Sequence, residues 1–530
     1  MDKLAVRSVL EHIAAFLELK GESAARVRVY QDAARHELEA TGRSSTLDEL
    51  REQIPPGLAE MLRISGLGVA KVRQIHERLN IESLTELEDA AADGRLAALP
   101  RFGRKTAENV RKGIAALRQA SAFRLLHHAL DEAQGIAQAL AALEGVRRVE
   151  IAGSVRRRLE IIRGLDFVVI HAGGGMREAL IRRLDAAPGV IELAGKEGAI
   201  TLRFASGAVA QVFLATEPEA GLALLRATGS TEHVALVEAR LTGGPPAWPD
   251  EESVYRAAGL PWIPPELREG MGEIEAAAAG RLPRLLEQRD LKGLLHCHTN
   301  YSDGTTTVAE WAHACRADGY EWLGITDHSE TSAYSGGLRA ADVARQHAEI
   351  DAANRRCGDF RVLKGVEADI LADGSLDYGT AVLDQFDFVI ASIHTRFGMT
   401  EAAMTERVLR ALDDPHTTIL GHPTGRLLLA REPFAIDLER VLQRAAERGV
   451  AVEVNADPHR LDLDWRVVRR AREMGVVVSV GADAHSVAGI TNVAFGVGVA
   501  RKGWLGAEHV LNTRDAEGFL DHARRRTAVA

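Results

Sequence analysis

The sequence is short of cysteines and of long apolar runs. Its 530 residues include three cysteines, Cys297, Cys315 and Cys357, which are too few for a disulfide framework in so long a chain. No apolar stretch is long enough to cross a membrane. Residues 1–21 have the pattern of an amphipathic helix of mixed charge and lack the small-residue cleavage site of a signal peptide. We therefore expect a cytoplasmic protein that does not bind a membrane.

The chain also lacks a net positive charge. Its formal net charge is −10, which argues against a protein that coats a polyanion along its whole length. Residues 101–118 are nevertheless basic, with six basic residues and one acidic residue, and residues 155–164 are similar. Such runs are usually solvated helix faces, and they indicate nucleic-acid binding only where a binding motif coincides with them.

The pattern up to about residue 142 is helical, and two of its segments resemble each other. Residues 64–75 and residues 99–110 each predict the end of a helix, a tight glycine turn and a new helix. Backbone N–H groups at a helix start can receive a phosphate oxygen, and a glycine there lets the phosphate approach closely. The residues expected to contact DNA in this way are Gly66, Gly68, Gly103 and Lys105.

These two segments resemble helix-hairpin-helix motifs, which hold DNA through its backbone regardless of base sequence. The alternative is a pair of ordinary helix–turn–helix corners. Two copies about 35 residues apart, the second inside the basic run 101–118, favour DNA binding.

Past residue 143, short β-rich runs replace the helical pattern. Residues 152–167 combine a strand, a Gly-Ser turn, paired arginines and an aspartate on the returning strand. This arrangement resembles the nucleotidyltransferase palm of family X DNA polymerases. Residues 228–233 and 252–270 resemble the C-terminal polymerase portion of the same family. The resemblance spans residues 1 to about 275 and implies a palm and a thumb.

The chain departs from this family where the chemistry is carried out. Nucleotidyl transfer needs two divalent cations, usually held by three carboxylates. The resemblance places these carboxylates at Gly164, Asp166 and Gln211, so that Asp166 alone remains as the catalytic carboxylate. We therefore predict weak, conditional or absent polymerase activity, with Mg²⁺ or Mn²⁺ and a dNTP bound at the palm if it is active. Glu160 is a candidate replacement carboxylate.

Other family positions are partly kept. Ser154 and Arg157 match the positions that contact the nucleotide triphosphate. The aromatic pair that normally precedes the "TGS" motif is Arg226-Ala227, and Gln74 stands where the family has its lyase lysine. We therefore expect phosphate binding at the palm without 5′-phosphate lyase activity.

After a charged linker at residues 287–293, the pattern changes to seven apolar strand runs separated by helical stretches. This alternation predicts a (βα) barrel, in which catalytic residues lie at the carboxyl ends of the strands. In the first run, "GLLHCHT", His296 and His298 are two residues apart and face the same side of a strand. They can therefore converge on one ion.

Side chains that bind metals occur at the ends of nearly all these strands. A single histidine in such a position is more often a hydrogen-bonded core residue, but a whole set at one end of a barrel favours a polynuclear metal site. The predicted ligands are His296, His298, Asp303, His328, Glu367, His394, His422, Asp483 and His485.

This set resembles the trinuclear site of the PHP (polymerase and histidinol phosphatase) domain, a distorted seven-stranded barrel, over residues 290–530. One position departs: Leu294 stands where the family often has an aspartate. Mixed imidazole and carboxylate ligands favour Zn²⁺ or Mn²⁺, with up to three ions implied. Glu367 would be the catalytic bridging carboxylate, and Arg396 or Arg460 would stabilise the leaving oxygen.

The predicted fold class is therefore multi-domain, with helical helix-hairpin-helix domains, an α+β nucleotidyltransferase palm with a thumb, and a C-terminal (βα)7 PHP barrel. The predicted domains are a helical DNA-end-binding domain with the first hairpin (1–85), a fingers-like helical domain with the second hairpin (86–142), the palm (143–235), the thumb (236–285) and the PHP phosphoesterase domain (290–530).

The order of the domains is that of bacterial family X DNA polymerases, in which the PHP domain resembles a 3′→5′ exonuclease. The first hypothesis is a DNA-repair enzyme that trims gapped, nicked or broken DNA ends, acting as a monomer by default. Two alternatives stay open: a small-molecule phosphatase of the PHP type, and a non-catalytic DNA-end-binding scaffold. If the polymerase half docks over the mouth of the barrel, it would block hydrolysis there.

Overall fold

The computed structural model describes residues 10, 13–20, 22–41, 44–47, 50, 54–62, 64, 66–100, 102–121, 123–173, 176–187, 189–195, 199–204, 208–241, 247–332 and 335–529. The chain divides into two compact units, residues 1–123 and residues 124–530. The five domain ranges drawn from the sequence stay predictions. None of the helices in the described ranges combines the length and the apolar character that a membrane span requires.

The first unit is helical. Its helices are Ala24–Thr41, Pro56–Met61, Val69–Leu79, Leu84–Ala92 and Arg104–Ser121. The helix Leu84–Ala92 begins at Ser83, whose hydroxyl accepts from the Glu86 N–H while the Glu86 carboxylate accepts from the Ser83 N–H. Val72 and Ile75 lie one turn apart and are buried in the common apolar core. This core fixes the two glycine turns on one scaffold.

The second unit begins with a mixed sheet. Its strands are β1 (Arg124–Leu125), β2 (Val146–Ile151), β3 (Ile161–Ile162), β4 (Leu165–His171), β5 (Val190–Ala194), β6 (Ala199–Phe204) and β7 (Val209–Thr216). Five of them form one sheet in the order β2-β4-β7-β6-β5, in which only β4 and β7 run parallel. The helices Leu126–Ala141, Gly153–Arg156 and Met176–Asp185 accompany this sheet.

The thumb-like segment that follows is held by buried charges. It contains the helices Ala220–Thr228, Thr231–Glu238, Glu251–Ala257 and Glu273–Ala278. Arg268 is fully buried and its Nη2 donates to Glu251 Oε2 at 3.0 Å, while Arg156 Nη2 donates to the same oxygen at 2.8 Å. Burial opposes ionisation of Glu251, but both guanidinium groups outweigh it and lower its pKa to about 2.

The C-terminal part is a closed barrel of seven parallel strands, which confirms the predicted architecture. The strands are β8 (Gly293–Cys297), β9 (Trp322–Ile325), β10 (Arg361–Asp369), β11 (Phe388–Ser392), β12 (Thr417–Leu420), β13 (Ala451–Asn455) and β14 (Val478–Ala484). They close in the order β10-β11-β12-β13-β14-β8-β9. The surrounding helices are Val308–Ala317, Val343–Arg356, Thr380–Leu383, Glu401–Asp413, Leu438–Arg448, Trp465–Glu473, Val493–Lys502 and Ala516–Val529.

The barrel interior is divided between apolar and polar side chains. Leu295, Leu363 and Phe388 belong to a buried cluster that includes Phe519 of the helix Ala516–Val529. The polar side chains follow at the carboxyl ends of the strands, where the predicted ligands lie.

The sheet and the thumb-like segment pack directly on the barrel within the second unit. Phe495, on the helix Val493–Lys502, contacts the apolar core of the sheet, and Trp504 belongs to the core of the thumb-like segment. The Leu286 N–H donates to the Leu505 carbonyl at 2.8 Å. The mixed sheet and the thumb-like segment therefore each make apolar contacts with the barrel part, and the chain just before the barrel is hydrogen-bonded to it.

Candidate functional site

Glu367 is the centre of the site at the carboxyl ends of the barrel strands. It is fully buried near the end of β10. Its Oε1 lies 3.3 Å from His296 Nε2, 3.2 Å from His394 Nε2 and 2.9 Å from His422 Nε2. Three imidazoles from three different strand ends therefore converge on one carboxylate oxygen.

The second oxygen of Glu367 faces the other half of the site. Its Oε2 lies 2.9 Å from His328 Nδ1 and 3.8 Å from His298 Nε2. His485 Nε2 is 3.4 Å from Asp303 Oδ1. The structure thus brings all nine predicted ligand residues together. They form four overlapping groups, and within each group the ligand atoms lie within 4.8 Å of one another.

The backbone of three of these residues is in the left-handed region. The φ angles are +61° for His296, +23° for His422 and +47° for Asp483. A residue other than glycine in this region costs about 1–3 kcal/mol and is typical of functional sites. Strand β8 ends at Cys297, so His296 and His298 converge through this turn of the backbone rather than through simple alternation along a strand.

Two carboxylates that the sequence reading did not assign orient the histidines. His296 Nδ1 hydrogen-bonds to Glu453 Oε1 at 2.6 Å, which directs Nε2 toward Glu367. His394 Nδ1 hydrogen-bonds to Asp369 Oδ1 in the same manner. Such partners fix the tautomer and the ring orientation of a ligand. The sequence did carry a signal for Glu453, because a charged residue inside an apolar, buried strand such as β13 indicates a polar partner.

The buried charges strongly perturb one another. Burial opposes protonation of His296, but the carboxylates of Glu453, Glu367 and Asp483 outweigh it and raise its pKa well above the ordinary value. Burial also opposes ionisation of Glu367, yet His394, His296 and other imidazoles hold its pKa well below the ordinary value. The carboxylates are therefore ionised and need positive charge close by.

The donor set fits metal ions. His296 Nε2, His298 Nε2 and Glu367 Oε2 are buried atoms without a hydrogen-bond partner in the part of the chain that the structure describes. Burial and the neighbouring His485 and His328 lower the pKa of His298 to about 4, so its imidazole is neutral and has a lone pair to offer at neutral pH. Buried imidazole and carboxylate atoms aimed at one another suit divalent cations of the Zn²⁺ or Mn²⁺ type.

Three further features concern the charge and the exposure of the site and its surroundings. Arg460 Nε lies 3.5 Å from Asp483 Oδ2, whereas Arg396, the other predicted cation, is exposed. A cavity of about 550 Å³ is lined by residues that follow the ligands His298 and His328 in the sequence, including Tyr301 and Glu330. The His485 side chain is 19% exposed, so the site reaches the surface there.

In the palm, the strand register places Gln211 directly beside Asp166. The Asp166 carboxyl group lies against Gly153, where an added Cβ would come within 1.9 Å of its Oδ2. Burial raises the pKa of Asp166 to about 6, against the opposing effect of Arg157. The three positions of the family's carboxylate set thus hold one half-buried carboxyl group, one glycine and one amide.

The predicted phosphate-binding arginine of the palm is engaged elsewhere. Arg157 Nε donates to Glu269 Oε1 at 3.0 Å, and its Nη1 donates to the Thr228 carbonyl at 2.5 Å. Ser154 is half-buried in the helical turn Gly153–Arg156. Glu160 contacts Arg426 of the barrel at 3.3 Å, so the structure does not support it as a replacement carboxylate.

The predicted DNA-contacting residues of the first unit are exposed at the starts of two helices. Gly66 has a φ of +86°, and Gly68 is the N-cap of the helix Val69–Leu79. Gly103 precedes the helix Arg104–Ser121, which carries the exposed Lys105. A Cβ at any of the three glycines would meet no atom within 4 Å, so only Gly66 needs to be glycine for its conformation.

Comparison with family models matches two parts of this chain. Residues 295–457 match the PHP domain, and residues 58–116 match the SAM-like helix-hairpin-helix tandem. The first match covers most of the strands that carry the candidate metal centre. The second covers both glycine turns.

Curated relatives of two kinds are similar to this chain. The DNA polymerase/3'-5' exonuclease PolX of Bacillus subtilis is 33% identical over 98% of this chain and 99% of its own length. A probable phosphatase of Acetivibrio thermocellus is 31% identical over 30% of this chain and 63% of its own length. A probable phosphatase of Vibrio atlanticus is 31% identical over 31% of this chain and 64% of its own length.

Proposed function

The chain belongs to the bacterial family X DNA polymerases that carry a C-terminal PHP domain, and from this premise we propose that it is a DNA-repair enzyme whose main activity is metal-dependent 3′→5′ exonucleolytic hydrolysis in the barrel. One observation carries the proposal. Five histidines converge on the two oxygens of Glu367 at one end of a closed barrel, with further ligands beside them.

In this proposal, the nine clustered residues would hold up to three Mn²⁺ or Zn²⁺ ions, with Glu367 as the central carboxylate among them. Ions bound there would supply an activated water and a Lewis acid for phosphodiester hydrolysis. The chain's own contribution is to fix the ligands through Glu453 and Asp369, and to hold the positive charge of Arg460 beside Asp483. That guanidinium is placed to offset negative charge developing on a leaving oxygen.

DNA binding belongs to the first unit in this proposal. The exposed helix starts at Gly68 and Gly103 offer backbone N–H groups to phosphates, and Lys105 adds a charge. Such contacts do not depend on base sequence, which suits an enzyme that acts at gaps, nicks or broken ends. The palm contributes weak polymerase activity at most, because it keeps only Asp166 of its carboxylates.

The test is a gel assay with primer–template DNA labelled at the 3′ or at the 5′ end, in the presence of Mn²⁺, Zn²⁺ or Mg²⁺ and with or without dNTPs. The full-length protein should shorten the primer from its 3′ end. His296→Ala should abolish this activity, whereas Asp166→Ala should leave it unchanged. Shortening that survives His296→Ala, or that is lost in Asp166→Ala, would place the nuclease outside the barrel and overturn the proposal.

A second candidate function is hydrolysis of small phosphomonoesters, which the similarity to probable phosphatases favours. It leaves the helix-hairpin-helix unit without a role. Release of phosphate from p-nitrophenyl phosphate without any shortening of labelled DNA would favour this second candidate over the first.

A further inference from the structure

The segment between β13 and the helix Trp465–Glu473 carries Arg460 to the metal centre. We refer to residues 456–464 as the Arg460 loop. Arg460 Nε lies 3.5 Å from Asp483 Oδ2, and Asn455, just before the loop, donates to the same oxygen at 3.0 Å. Among the described contacts, Arg460 is the only arginine next to Asp483. The position of the loop therefore determines where this arginine is held.

The loop has an unfavourable backbone conformation that its neighbours must hold. Leu461 is fully buried and has a φ of +41°, a region that costs a branched residue about 1–3 kcal/mol. Hydrogen bonds from a second barrel segment hold it in place. The Thr424 N–H donates to Asp462 Oδ2 at 3.0 Å, and the Leu428 N–H donates to the His459 carbonyl at 2.7 Å.

Arg426 makes the most extensive of these connections. Its Nε donates to the Arg460 carbonyl at 3.0 Å, and its Nη2 donates to the Leu461 carbonyl. Arg426 is itself buried, with 9% of its surface exposed. The direction of its guanidinium therefore determines whether the backbone of Arg460 and Leu461 is held.

The partner that fixes this guanidinium comes from the palm. Glu160 Oε1 lies 3.3 Å from Arg426 Nη2, and Glu160 is 8% exposed. A further acidic neighbour, Asp464, lies on the opposite terminal nitrogen, Nη1, at 3.5 Å. Removing the charge of Glu160 would leave a buried guanidinium without its palm partner, which is costly, and would release it toward Asp464.

A second contact reaches the same loop from the helix that precedes the predicted palm. His127, at the start of the helix Leu126–Ala141, stacks edge-on against His459 with 5.0 Å between ring centroids, and against Phe495 with 6.2 Å. Burial, with the neighbouring His128 and His459, lowers the pKa of His127 to about 4, so the His127 ring is neutral at neutral pH. Two residues thus reach the Arg460 loop from outside the barrel, His127 directly and Glu160 through Arg426.

We propose that Glu160 is a positioning residue for hydrolysis in the barrel: through Arg426 it holds the Arg460 loop, and with it the arginine beside Asp483. This inference rests on the proposed function, because it assigns part of the barrel's turnover to a residue of the palm. It also gives the palm a task that does not need the missing carboxylates.

A matched control exists where the thumb-like segment, rather than the palm, contacts the barrel. Glu266 of the thumb-like segment accepts from Arg501 Nε at 2.7 Å, on the helix Val493–Lys502 rather than on the Arg460 loop. Glu160→Gln and Glu266→Gln each neutralise one acidic partner of a barrel arginine. A general effect of losing an acidic partner of a barrel arginine would appear in both variants, whereas loss of loop positioning would affect Glu160→Gln alone.

The first readout is turnover of the full-length protein with Mn²⁺, on labelled DNA and on bis(p-nitrophenyl) phosphate, a small diester. Glu160→Gln should lower kcat at least about 10-fold on both substrates with little change in KM, since a misplaced catalytic group is lost mainly from the transition state. Glu266→Gln should keep kcat within about 2-fold of the wild type, because its contact with Arg501 lies outside the Arg460 loop. In an Arg460→Ala background, Glu160→Gln should have no further effect.

The second readout needs no activity. Amide hydrogen exchange of residues 456–464 in the metal-free protein should be faster in Glu160→Gln than in the wild type, and unchanged in Glu266→Gln. Equal exchange in all three proteins, or an effect of Glu160→Gln that adds in full to that of Arg460→Ala, would overturn the inference. If the wild type shows no hydrolysis but Glu160→Gln still exchanges faster at residues 456–464, the proposed function is refuted. The connection between Glu160 and the loop is then retained.

Discussion

Gln211 lies directly beside Asp166 on the neighbouring parallel strand of the palm. The family's third carboxylate belongs at this position, and a neutral amide occupies it. The remaining carboxyl group is half-buried, and its pKa is raised to about 6. A site with one carboxyl group of this kind holds a pair of divalent cations poorly.

Restoring the two missing carboxylates should therefore increase primer extension. The double variant Gly164→Asp/Gln211→Asp adds both, and a Cβ at Gly164 meets only the Val209 carbonyl at 3.6 Å. Each restored charge should be worth about 10²-fold in rate, although Arg157 is still held by Glu269. The measurement is extension of a gapped primer with Mn²⁺ and dNTPs in a His296→Ala background, which removes exonucleolytic loss of the product.

The outcome that contradicts this prediction is simple. The protein with Gly164 and Gln211 unchanged could extend primers robustly and lose this activity in Asp166→Ala. That result would mean that one carboxylate is sufficient in this palm.

The raised pKa of Asp166 predicts a dependence of stability on pH. Folding raises this pKa from 3.8 to about 6, so the folded state holds the proton more tightly than the unfolded chain does. The resulting stabilisation is complete below pH 4 and is lost as the pH rises through 6. Relative to Asp166→Asn, the wild type should lose up to about 3 kcal/mol of unfolding free energy over this range.

Urea denaturation at several pH values in EDTA measures this difference. Asp185→Asn, which neutralises an exposed aspartate in the same domain, should follow the wild-type profile. Parallel profiles for the wild type and Asp166→Asn would show that the Asp166 carboxyl group does not titrate in this way.

Glu453→Gln should weaken metal binding without removing a ligand. Its carboxylate accepts from His296 Nδ1 at 2.6 Å and also from the His422 N–H at 2.7 Å. An amide in its place holds His296 less firmly in the tautomer that presents Nε2, and such changes cost about 10- to 100-fold in metal affinity. Metal content after dialysis against graded chelator, read by elemental analysis, checks this loss.

Cys297→Ala is the matched control for Glu453→Gln. Cys297 lies between His296 and His298 but packs in the apolar core of the barrel. This variant should lose stability and keep its metal content. A Glu453→Gln protein that retains metal as well as Cys297→Ala does would argue that His296 is held by the backbone alone.

The barrel and its ligands could be predicted because both depend on local patterns. Seven apolar runs separated by helices dictate parallel strands, and parallel strands bring their carboxyl ends to one end of a barrel. The ligands His394 and His422 are far apart in sequence yet follow strands that are neighbours in the barrel. No side-chain detail was needed to place them together.

The features that were missed depend on tertiary contacts. Strand β5 was not predicted, because Ile191 is 69% exposed on this edge strand and the run has no clear alternation of burial. Glu453 and Asp369 were missed as hydrogen-bond partners because their role is visible only once the histidines are placed. The contact of Glu160 with Arg426 joins residues 266 positions apart, beyond any sequence pattern.

The helix-hairpin-helix unit predicts a loss of DNA affinity on charge reversal at Lys105. This lysine is exposed near the start of the helix Arg104–Ser121, where a phosphate would meet both the helix N–H groups and the side chain. Lys105→Glu should weaken binding uniformly across DNA sequences and reduce the slope of log K against log salt by about 1. Fluorescence anisotropy at several salt concentrations measures both effects.

Arg78→Glu provides the control, because Arg78 is equally exposed but lies in the last turn of the helix Val69–Leu79, where the helix end disfavours phosphate. It makes the same change in net charge. If Lys105→Glu and Arg78→Glu weaken binding equally, the attraction is general electrostatics and the glycine turn is not the contact point. If only Lys105→Glu weakens binding while hydrolysis of bis(p-nitrophenyl) phosphate is unchanged, DNA is held by the hairpin and cleaved elsewhere.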